Sequence, residues 1–131
     1  MSSQENYRPV ICIDLKKNRI RIHKQTLKML GDPAYIQLLV NPQDSMIAIR
    51  PSFSGDHLAH IIKSRRVNDK YTNEIYSADF IKALNAISFG WKQDQMYRIY
   101  GKMNFRENLV YFDIKNMVAL EDKDQNETHP V

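Results

Sequence analysis

Cysteine, glycine and long apolar runs are all scarce in this 131-residue sequence, which has 1 Cys and 4 Gly. The single cysteine, Cys12, cannot form an intrachain disulfide, so a disulfide scaffold is excluded. Charges interrupt every hydrophobic run, and no stretch approaches the roughly 20 apolar residues that a membrane-spanning helix needs. The N-terminal segment also lacks the apolar core of a secretory signal. We therefore predict one ordinary domain over residues 1–120, located in the cytoplasm and without a membrane contact.

Catalytic and metal-binding motifs are also missing from the sequence. It contains no Gly-rich phosphate loop, no nucleophile elbow and no CxxC pair. His57 and His60 are three residues apart, a spacing that sends side chains to opposite faces of a strand. No cysteine or carboxylate cluster in the sequence completes a metal site around them. We therefore expect no catalytic residue, no cofactor and no metal ion, and predict that the protein is not an enzyme.

Charge is distributed unevenly along the chain. Residues 1–70 contain 12 Lys+Arg and 6 Asp+Glu, whereas residues 71–131 contain 7 and 9. The last segment, residues 121–131, has four acidic residues against Lys123 alone, and we predict that it is a flexible acidic tail. The remaining body is basic. A basic body attracts polyanions such as nucleic acids through its long-range electric field.

Apolar patterning in the first half predicts two strands, a short helix and two further strands. Residues 10–15 form a β-branched apolar run, and residues 19–23 alternate polar with apolar side chains. From Lys24 the spacing of apolar residues becomes helical, and Gly31 followed by Asp-Pro ends the helix. Two strand patterns follow, separated by a segment rich in turn-forming residues. They cover residues 35–40 and 46–50.

The second half has a similar order with less regular patterns. The predicted segments are a strand at residues 58–62, a basic turn at 63–70, a strand at 71–76, and a hairpin of residues 96–103 and 109–114. Ser77 is a candidate N-cap for a helix between the second strand and the hairpin. The apolar stripe of that helix consists of Phe80, Ile81 and Leu84, and the helix is predicted to end at Asn85.

The two halves can be aligned around their helices. Residues 22–31 and residues 75–85 both end in Lys-x-Leu followed by Gly or Asn, which tolerate a left-handed helix cap. We therefore predict an α+β fold made of two swapped-hairpin-like β-β-α-β-β units, one over about residues 10–51 and one over about 58–118. The two units are expected to form an intramolecular pseudo-dimer around a shared core. The alternative is a chance similarity between unrelated segments.

The segment from Asp14 to Gly31, DLKKNRIRIHKQTLKMLG, resembles the swapped-hairpin domain of AbrB-type transition regulators and MazE-type antitoxins. The resemblance covers residues 10–51 and, less fully, residues 58–118. It implies mostly antiparallel strands with short helices, and DNA contacts from basic residues around the first turn and the short helix. The family usually has Gly in that turn and Pro at the helix start, where this chain has Asn18 and His23. Asn tolerates a left-handed backbone, so Asn18 can replace the glycine.

Carried onto this sequence, the resemblance places DNA contacts on ten basic residues. Those in the first half are Lys16, Lys17, Arg19, Arg21, Lys24 and Lys28, and those in the second half are Lys63, Arg65, Arg66 and Lys70. Lysine and arginine neutralise phosphates and release counterions, and an arginine that reaches a base edge adds sequence preference. Double-stranded DNA is therefore the expected partner, and the expected function is that of a transcriptional regulator or an antitoxin-like protein.

Other interpretations of the same residues stay open. The basic residues can form a solvated face that keeps the sheet soluble and guards its edges. The protein can also be a non-catalytic interaction module that binds another protein and keeps the fold without DNA binding. The aromatic side chains are more typical of core and cross-strand packing than of a platform for single-stranded bases. They are Tyr97, Tyr100, Phe105, Tyr111 and Phe112. A monomeric pseudo-dimer and a homodimer are both compatible with the sequence.

Overall fold

Antiparallel strands dominate the chain over residues 8–67, 70–87, 91–92 and 94–120, which the computed structural model describes. The strands are β1 (Val10–Asp14), β2 (Arg19–Ile22), β3 (Tyr35–Asn41), β4 (Met46–Pro51), β5 (His60–Ile61), β6 (Lys63–Val67), β7 (Lys70–Tyr76), β8 (Met96–Asn104), β9 (Leu109–Asp113) and β10 (Val118–Leu120). The helices are α1 (Lys24–Met29) and α2 (Ala78–Ile87), and one 3₁₀ turn covers Ile114–Asn116. The predicted acidic tail, residues 121–131, lies outside the described residues.

The strands form one continuous sheet that nearly closes on itself. Its order is β5-β3-β4-β9-β8-β1-β2-β7-β6, and β10 pairs with the first residues of β8. The strands at the two ends of this order, β5 and β6, are separated in sequence by Ile62 alone. Because one intervening residue keeps its two neighbours within about 7 Å, the two ends of the sheet must meet. The sheet is therefore barrel-like and encloses its inner face.

The inner face of the sheet carries a single hydrophobic core. Ile11 pairs with Ile22 across β1 and β2, and Ile13 pairs with Ile20, so these four buried side chains share one face. Other strands, both helices, the β1–β2 turn and the 3₁₀ turn add the rest of the cluster. Its members include Ile36, Ile47, Ile49, Ile75, Phe80, Ile81, Leu84, Ile99, Val110 and Phe112. Side chains alternate along each strand, so the neighbours of these residues lie on the outer face.

Three hairpin turns share one local design. In each, an Asp or Asn side chain at the start accepts a backbone N–H from within the turn, and a non-glycine residue with a left-handed backbone ends it. The pairs are Asp14 and Asn18, Asn41 and Ser45, and Asn104 and Asn108. The φ of Asn18 is 52°. The expectation that Asn18 adopts a left-handed backbone is confirmed by this value.

The predicted start of α2 and the predicted end of α1 are confirmed, but α2 ends later than expected. Gly31, at φ 89°, donates to the Lys28 carbonyl at 3.0 Å, and Asp32 donates to the Leu27 carbonyl at 2.9 Å. This pair of hydrogen bonds is the Schellman motif, which ends a helix. The Ser77 hydroxyl accepts from the Phe80 N–H at 3.1 Å and caps α2. The helix then runs past the predicted end at Asn85 to Ile87, which packs against the core.

The expectation of an α+β fold made of two β-β-α-β-β units that form a pseudo-dimer is wrong. The described chain consists mostly of antiparallel strands in one nearly closed sheet. Strands from the two halves alternate within this sheet, since β1 pairs with β8, β2 with β7 and β4 with β9. Both helices are short: capping residues end α1 after 6 residues, and α2 has 10. Neither half has a sheet or a core of its own.

The predicted basic turn at residues 63–70 is also wrong, because most of it is strand. Residues 63–67 form β6, which pairs with β7 from Lys63 opposite Glu74 to Val67 opposite Lys70. The residues of this segment are mostly polar, so its sequence does not indicate a strand. It forms one because it pairs with β7, whose Ile75 is buried in the core. Correspondingly, the predicted strand at residues 58–62 is reduced to the two residues of β5. The short strand β10 was not predicted.

Gly101 provides a test of the close approach of β8 and β9. A Cβ atom at this position would collide with the carbonyl oxygen of Tyr111 and with the ring of Phe112. We expect Gly101→Ala to lower the free energy of unfolding by at least about 2 kcal/mol, measured by urea denaturation.

Gly55→Ala is the matched control for this substitution. The added Cβ would meet only the ring of Phe53, at an ordinary contact distance of 3.5 Å. We expect a change within about 0.5 kcal/mol there. Equal losses at the two glycines would contradict the role given to Gly101.

Candidate nucleic-acid interface

Four of the predicted contact residues are lysines that project into solvent on either side of β2. Lys16 and Lys17 lie in the turn before the strand, and Lys24 and Lys28 lie on the helix after it. The two pairs are separated by the four residues of β2, which span about 13 Å. Within the described part of the chain, none of these lysines has a carboxylate at ion-pair distance. In this part of the chain their charges therefore face solvent, where an external anion can reach them.

The turn lysines are held in place by Asp14. One oxygen of its carboxylate, Oδ1, accepts the backbone N–H groups of Lys16 at 3.1 Å and Lys17 at 3.2 Å. The other oxygen, Oδ2, accepts from the Arg19 guanidinium at 3.1 Å. Asp14 therefore fixes the shape of the turn and ties it to β2. The lysine side chains stay in solvent while their backbone is fixed.

The short helix α1 is fixed to β1 by a buried hydroxyl. Thr26 Oγ1 accepts from the backbone N–H of Val10 at 3.0 Å and donates to its carbonyl at 3.3 Å. At the helix start, Nδ1 of His23 accepts from the N–H of Gln25 at 3.1 Å and serves as the N-cap. Because Thr26 and Leu27 face the interior, Lys24 and Lys28, four residues apart, are exposed along the helix.

Arg19 differs from these lysines because it is buried in an ion-pair network. Its residue is only 8% exposed, and its guanidinium binds Asp14 at 3.0 Å and Glu74 at 3.1 Å. The same Glu74 oxygen accepts from Nε of Arg21 at 3.0 Å. Two carboxylates thus engage the Arg19 side chain. We therefore assign Arg19 to the structure of the sheet and leave it out of the contact surface.

The network shifts the pKa of Glu74 downward. Burial by itself raises the pKa of this carboxyl, but the hydrogen bond from Arg21 and the charges of Arg19 and Arg21 lower it below its ordinary value. Burial likewise acts to lower the pKa of Arg19, yet its interactions with Tyr76, Glu74 and Asp14 raise it. Both groups therefore stay charged in the folded protein near neutral pH. The buried charges compensate one another.

Arg21 belongs to a row of side chains that crosses the outer face of the sheet. Cys12 on β1 lies opposite Arg21 on β2 and, on its other side, opposite Arg98 on β8. The Arg21 side chain is 41% exposed despite its bond to Glu74. Burial lowers the pKa of Arg98, but interactions with Cys12 and Tyr100 raise it, so this arginine is charged as well. Cys12 thus lies between the two arginines on this face.

The aromatic residues divide between the core and the solvent-exposed surface. Tyr97 and Phe112 are buried in the core, as predicted for packing residues. Tyr100 and Phe105, in contrast, are exposed. The guanidinium of Arg8 lies 4.7 Å from the centre of the Tyr100 ring, which is a cation–π contact.

The basic residues predicted in the second half lie on β6 and at the start of β7. Lys63, Arg65 and Arg66 belong to β6, and Lys70 begins β7. The register places Arg65 opposite Thr72 and Arg66 opposite Tyr71. Since β6 ends the strand order, Lys63, Arg65 and Arg66 lie at an end of the sheet, four strands along from β8, and Lys70 lies on the adjacent strand. In this segment it is the backbone pairing of β6 with β7 that places the four residues.

A cleft of about 420 Å³ separates α1 from the junction of β5 and β6. Lys24, Asp32, Ile62 and Asn73 are among the residues that line it. The cleft forms where the pairing of β3 with β5 stops, after the N–H of Ile62 donates to the Ala34 carbonyl at 2.9 Å. Pro33, which precedes Ala34, has no backbone N–H and therefore cannot extend the hydrogen bonds between these two segments. Lys24 thus lies beside an opening in the wall of the sheet.

Arg8, Arg98 and Lys102 were missed as candidate contact residues by the sequence analysis. Arg98 and Lys102 lie in a strand pattern dominated by aromatic and aliphatic residues, and no run of basic residues marks them. The alternation of β8 was the available signal: buried Tyr97 and Ile99 send Arg98 and Tyr100 to the outer face. The position of Arg98 beside Cys12, and of Tyr100 beside Val10, depends on the pairing of β8 with β1, which no local pattern predicts.

Comparisons with known proteins found no matching family model, no similar curated protein and no similar solved structure. Within the described residues, no three His, Cys, Asp or Glu side chains are grouped so that they could bind a metal ion. Neither helix in the described ranges has the length and apolar content needed to span a membrane.

Glu74 allows a test of the buried network. We expect Glu74→Gln to lower the free energy of unfolding at neutral pH by about 3 kcal/mol, because it leaves Arg19 without one of its compensating charges. The pKa of Glu74 is lower in the folded protein than in the unfolded chain. Its contribution to stability is therefore complete above the ordinary value of 4.5 and is lost as the pH falls through the folded value. Urea denaturation at several pH values measures both effects.

Glu107→Gln, in the exposed β8–β9 turn, is the control for this test. This substitution removes an acidic side chain at the surface and should change stability little at any pH. The stability of the Glu74→Gln variant should fall less steeply than that of the wild type as the pH is lowered through the acidic range. An unchanged pH profile in this variant would refute the network as a source of stability.

Proposed function

We propose that the protein is a cytoplasmic DNA-binding regulatory protein that contacts duplex DNA through the lysines on either side of β2. The observation that carries the proposal is the exposure of Lys16, Lys17, Lys24 and Lys28 without a carboxylate partner in the described chain. The proposal covers transcriptional regulators and antitoxin-like proteins, since both use such a surface. It assigns no catalytic residue and no cofactor.

Rigid attachment of these lysines supports the proposal. Asp14 fixes the backbone of the turn, and Thr26 fixes α1 to β1, so neither pair of lysines lies on a loose segment. A preorganised cationic surface loses less conformational entropy when it binds a phosphate backbone. Each lysine that neutralises a phosphate releases counterions, which makes the affinity dependent on salt. Arg21, partly exposed on the outer face of β2, extends the surface between the two pairs.

A titration of random-sequence duplex DNA at about 50 and 200 mM salt tests the proposal. We expect the affinity to fall as salt rises. We also expect the double variants Lys16→Gln with Lys17→Gln, and Lys24→Gln with Lys28→Gln, to reduce the slope of log K against log salt. The reduction should be about 0.9 for each phosphate contact that is lost. Fluorescence anisotropy of a labelled duplex measures both quantities.

Lys82→Gln with Lys115→Gln is the control, because it removes the same charge from exposed positions on α2 and after β9. This variant should keep the salt slope of the wild type. If all three double variants weaken binding equally, the contact is a general charge effect, and the surface proposed here is wrong. Unfolding midpoints should be equal among the variants, since all six lysines are exposed.

An exposed apolar loop favours a second function, a protein-interaction module. Phe53 and Leu58 are 67% and 64% exposed. Asp56 orders their loop, since its carboxylate accepts from the Ser52 hydroxyl at 2.6 Å and from the Leu58 N–H at 2.9 Å. The hydrogen bond from Ser52, followed by that from Leu58, lowers the pKa of Asp56. Failure of the protein to bind any duplex at low salt would favour this second function.

A further inference from the structure

Two exposed tyrosines lie on the outer face of the sheet with two arginines between them. Tyr100 is on β8 and Tyr76 on β7, and they are 37% and 58% exposed. Arg98 lies two residues before Tyr100 on the same face of β8, and Arg21 lies two residues after Arg19, the partner of Tyr76, on the same face of β2. We call this diagonal set, Tyr100, Arg98, Arg21 and Tyr76, the tyrosine–arginine face. Strand spacing and rise separate its two tyrosines by roughly 20 Å.

The charge of this face is positive. Asp14 and Glu74 also lie on it, but both are buried and are engaged by Arg19 and Arg21. Those two arginines balance the two carboxylates. Arg98 and Arg8 add positive charge without a described carboxylate at ion-pair distance. The face therefore complements a polyanion, and its excess charge lies beside Tyr100.

The Tyr100 ring already carries a planar cation. The Arg8 guanidinium lies 4.7 Å from its centre, which shows that a flat group can reach this ring. A nucleobase is also flat and stacks on aromatic side chains. If a base takes the place of Arg8, the arginine is left within reach of the adjoining phosphate. The register places Cys12 between Arg98 and Arg21, so the two arginines flank the smallest side chain of this row on the outer face.

We propose that the tyrosine–arginine face binds single-stranded nucleic acid. Bases stack on Tyr100 and Tyr76, and the intervening phosphates contact Arg98 and Arg21. Single strands fit this face better than duplex DNA does, because the bases of a duplex are covered by their neighbours and cannot stack on a tyrosine. The inference goes beyond the proposed duplex function and does not rest on it: the two surfaces share Arg21, but the tyrosine–arginine face uses none of the four lysines.

Anisotropy of a labelled oligothymidylate of about 20 nucleotides, titrated at low salt, tests the inference. We expect Tyr100→Leu and Tyr76→Leu each to weaken binding at least about fivefold, because each removes one stacking ring. Tyr100→Phe and Tyr76→Phe keep the rings and should bind within about twofold of the wild type. Arg98→Gln should weaken binding and lower the salt slope by about 0.7.

Phe105→Leu and Arg106→Gln are the matched controls. They remove an exposed aromatic ring and an exposed arginine from the turn that follows β8, outside the face. Both should bind oligothymidylate like the wild type. The inference is overturned if oligothymidylate does not bind at low salt. It is also overturned if the leucine variants bind as well as the phenylalanine variants, or if the controls weaken binding as much as the leucine variants do.

A duplex of similar length, titrated in parallel, separates this inference from the proposed function. Loss of oligothymidylate binding in the Tyr100→Leu variant, with duplex binding unchanged, supports the tyrosine–arginine face as a separate site. Weakening of duplex binding by the lysine variants alone, with oligothymidylate binding insensitive to both tyrosines, supports the proposed function and overturns the inference. Equal unfolding midpoints for each leucine and phenylalanine pair show that the fold is intact.

Discussion

The carboxylate of Asp14 connects the main parts of the candidate interface. One oxygen holds the backbone of the β1–β2 turn, and the other binds Arg19, which in turn binds Glu74 on β7. A single side chain thus links a turn, two strands of one hairpin and a third strand from the other half of the chain. The exposed lysines of the turn and the partly exposed Arg21 depend on this linkage for their positions.

Closure of the sheet is the second constraint on the interface. Ile62 joins the two ends of the strand order, and Pro33 stops the ladder that would otherwise seal them. The enclosed inner face takes the isoleucines together with Tyr97 and Phe112, so the residues that alternate with them on the same strands lie on the outer face. The tyrosine–arginine face lies on strands of this wall, and the lysines lie on the turn and the helix on either side of β2.

Local chemistry predicted several features of the fold correctly, whereas long-range pairing was not predictable. Asn18, Gly31 and Ser77 have conformations and hydrogen bonds that follow from their own side chains or from the absence of one. The strand at Lys63–Val67 was interpreted as a turn because its residues are polar and its stability comes from β7. The α+β fold class failed for a similar reason: the order of strands in the sheet depends on partners distant in sequence.

Arg19 and Arg21 show that the roles of the candidate site residues also depend on strand pairing, which local sequence does not predict. Both arginines occupy alternate positions of one strand and face the same side, so the sequence pattern gives them equal roles. Their neighbours on β1 separate them: Asp14 lies opposite Arg19, and Cys12 lies opposite Arg21. A carboxylate on the adjacent strand makes the first arginine a buried structural cation, while a small thiol leaves the second open to solvent. Whether a basic residue can contact a nucleic acid thus depends on the strand beside it.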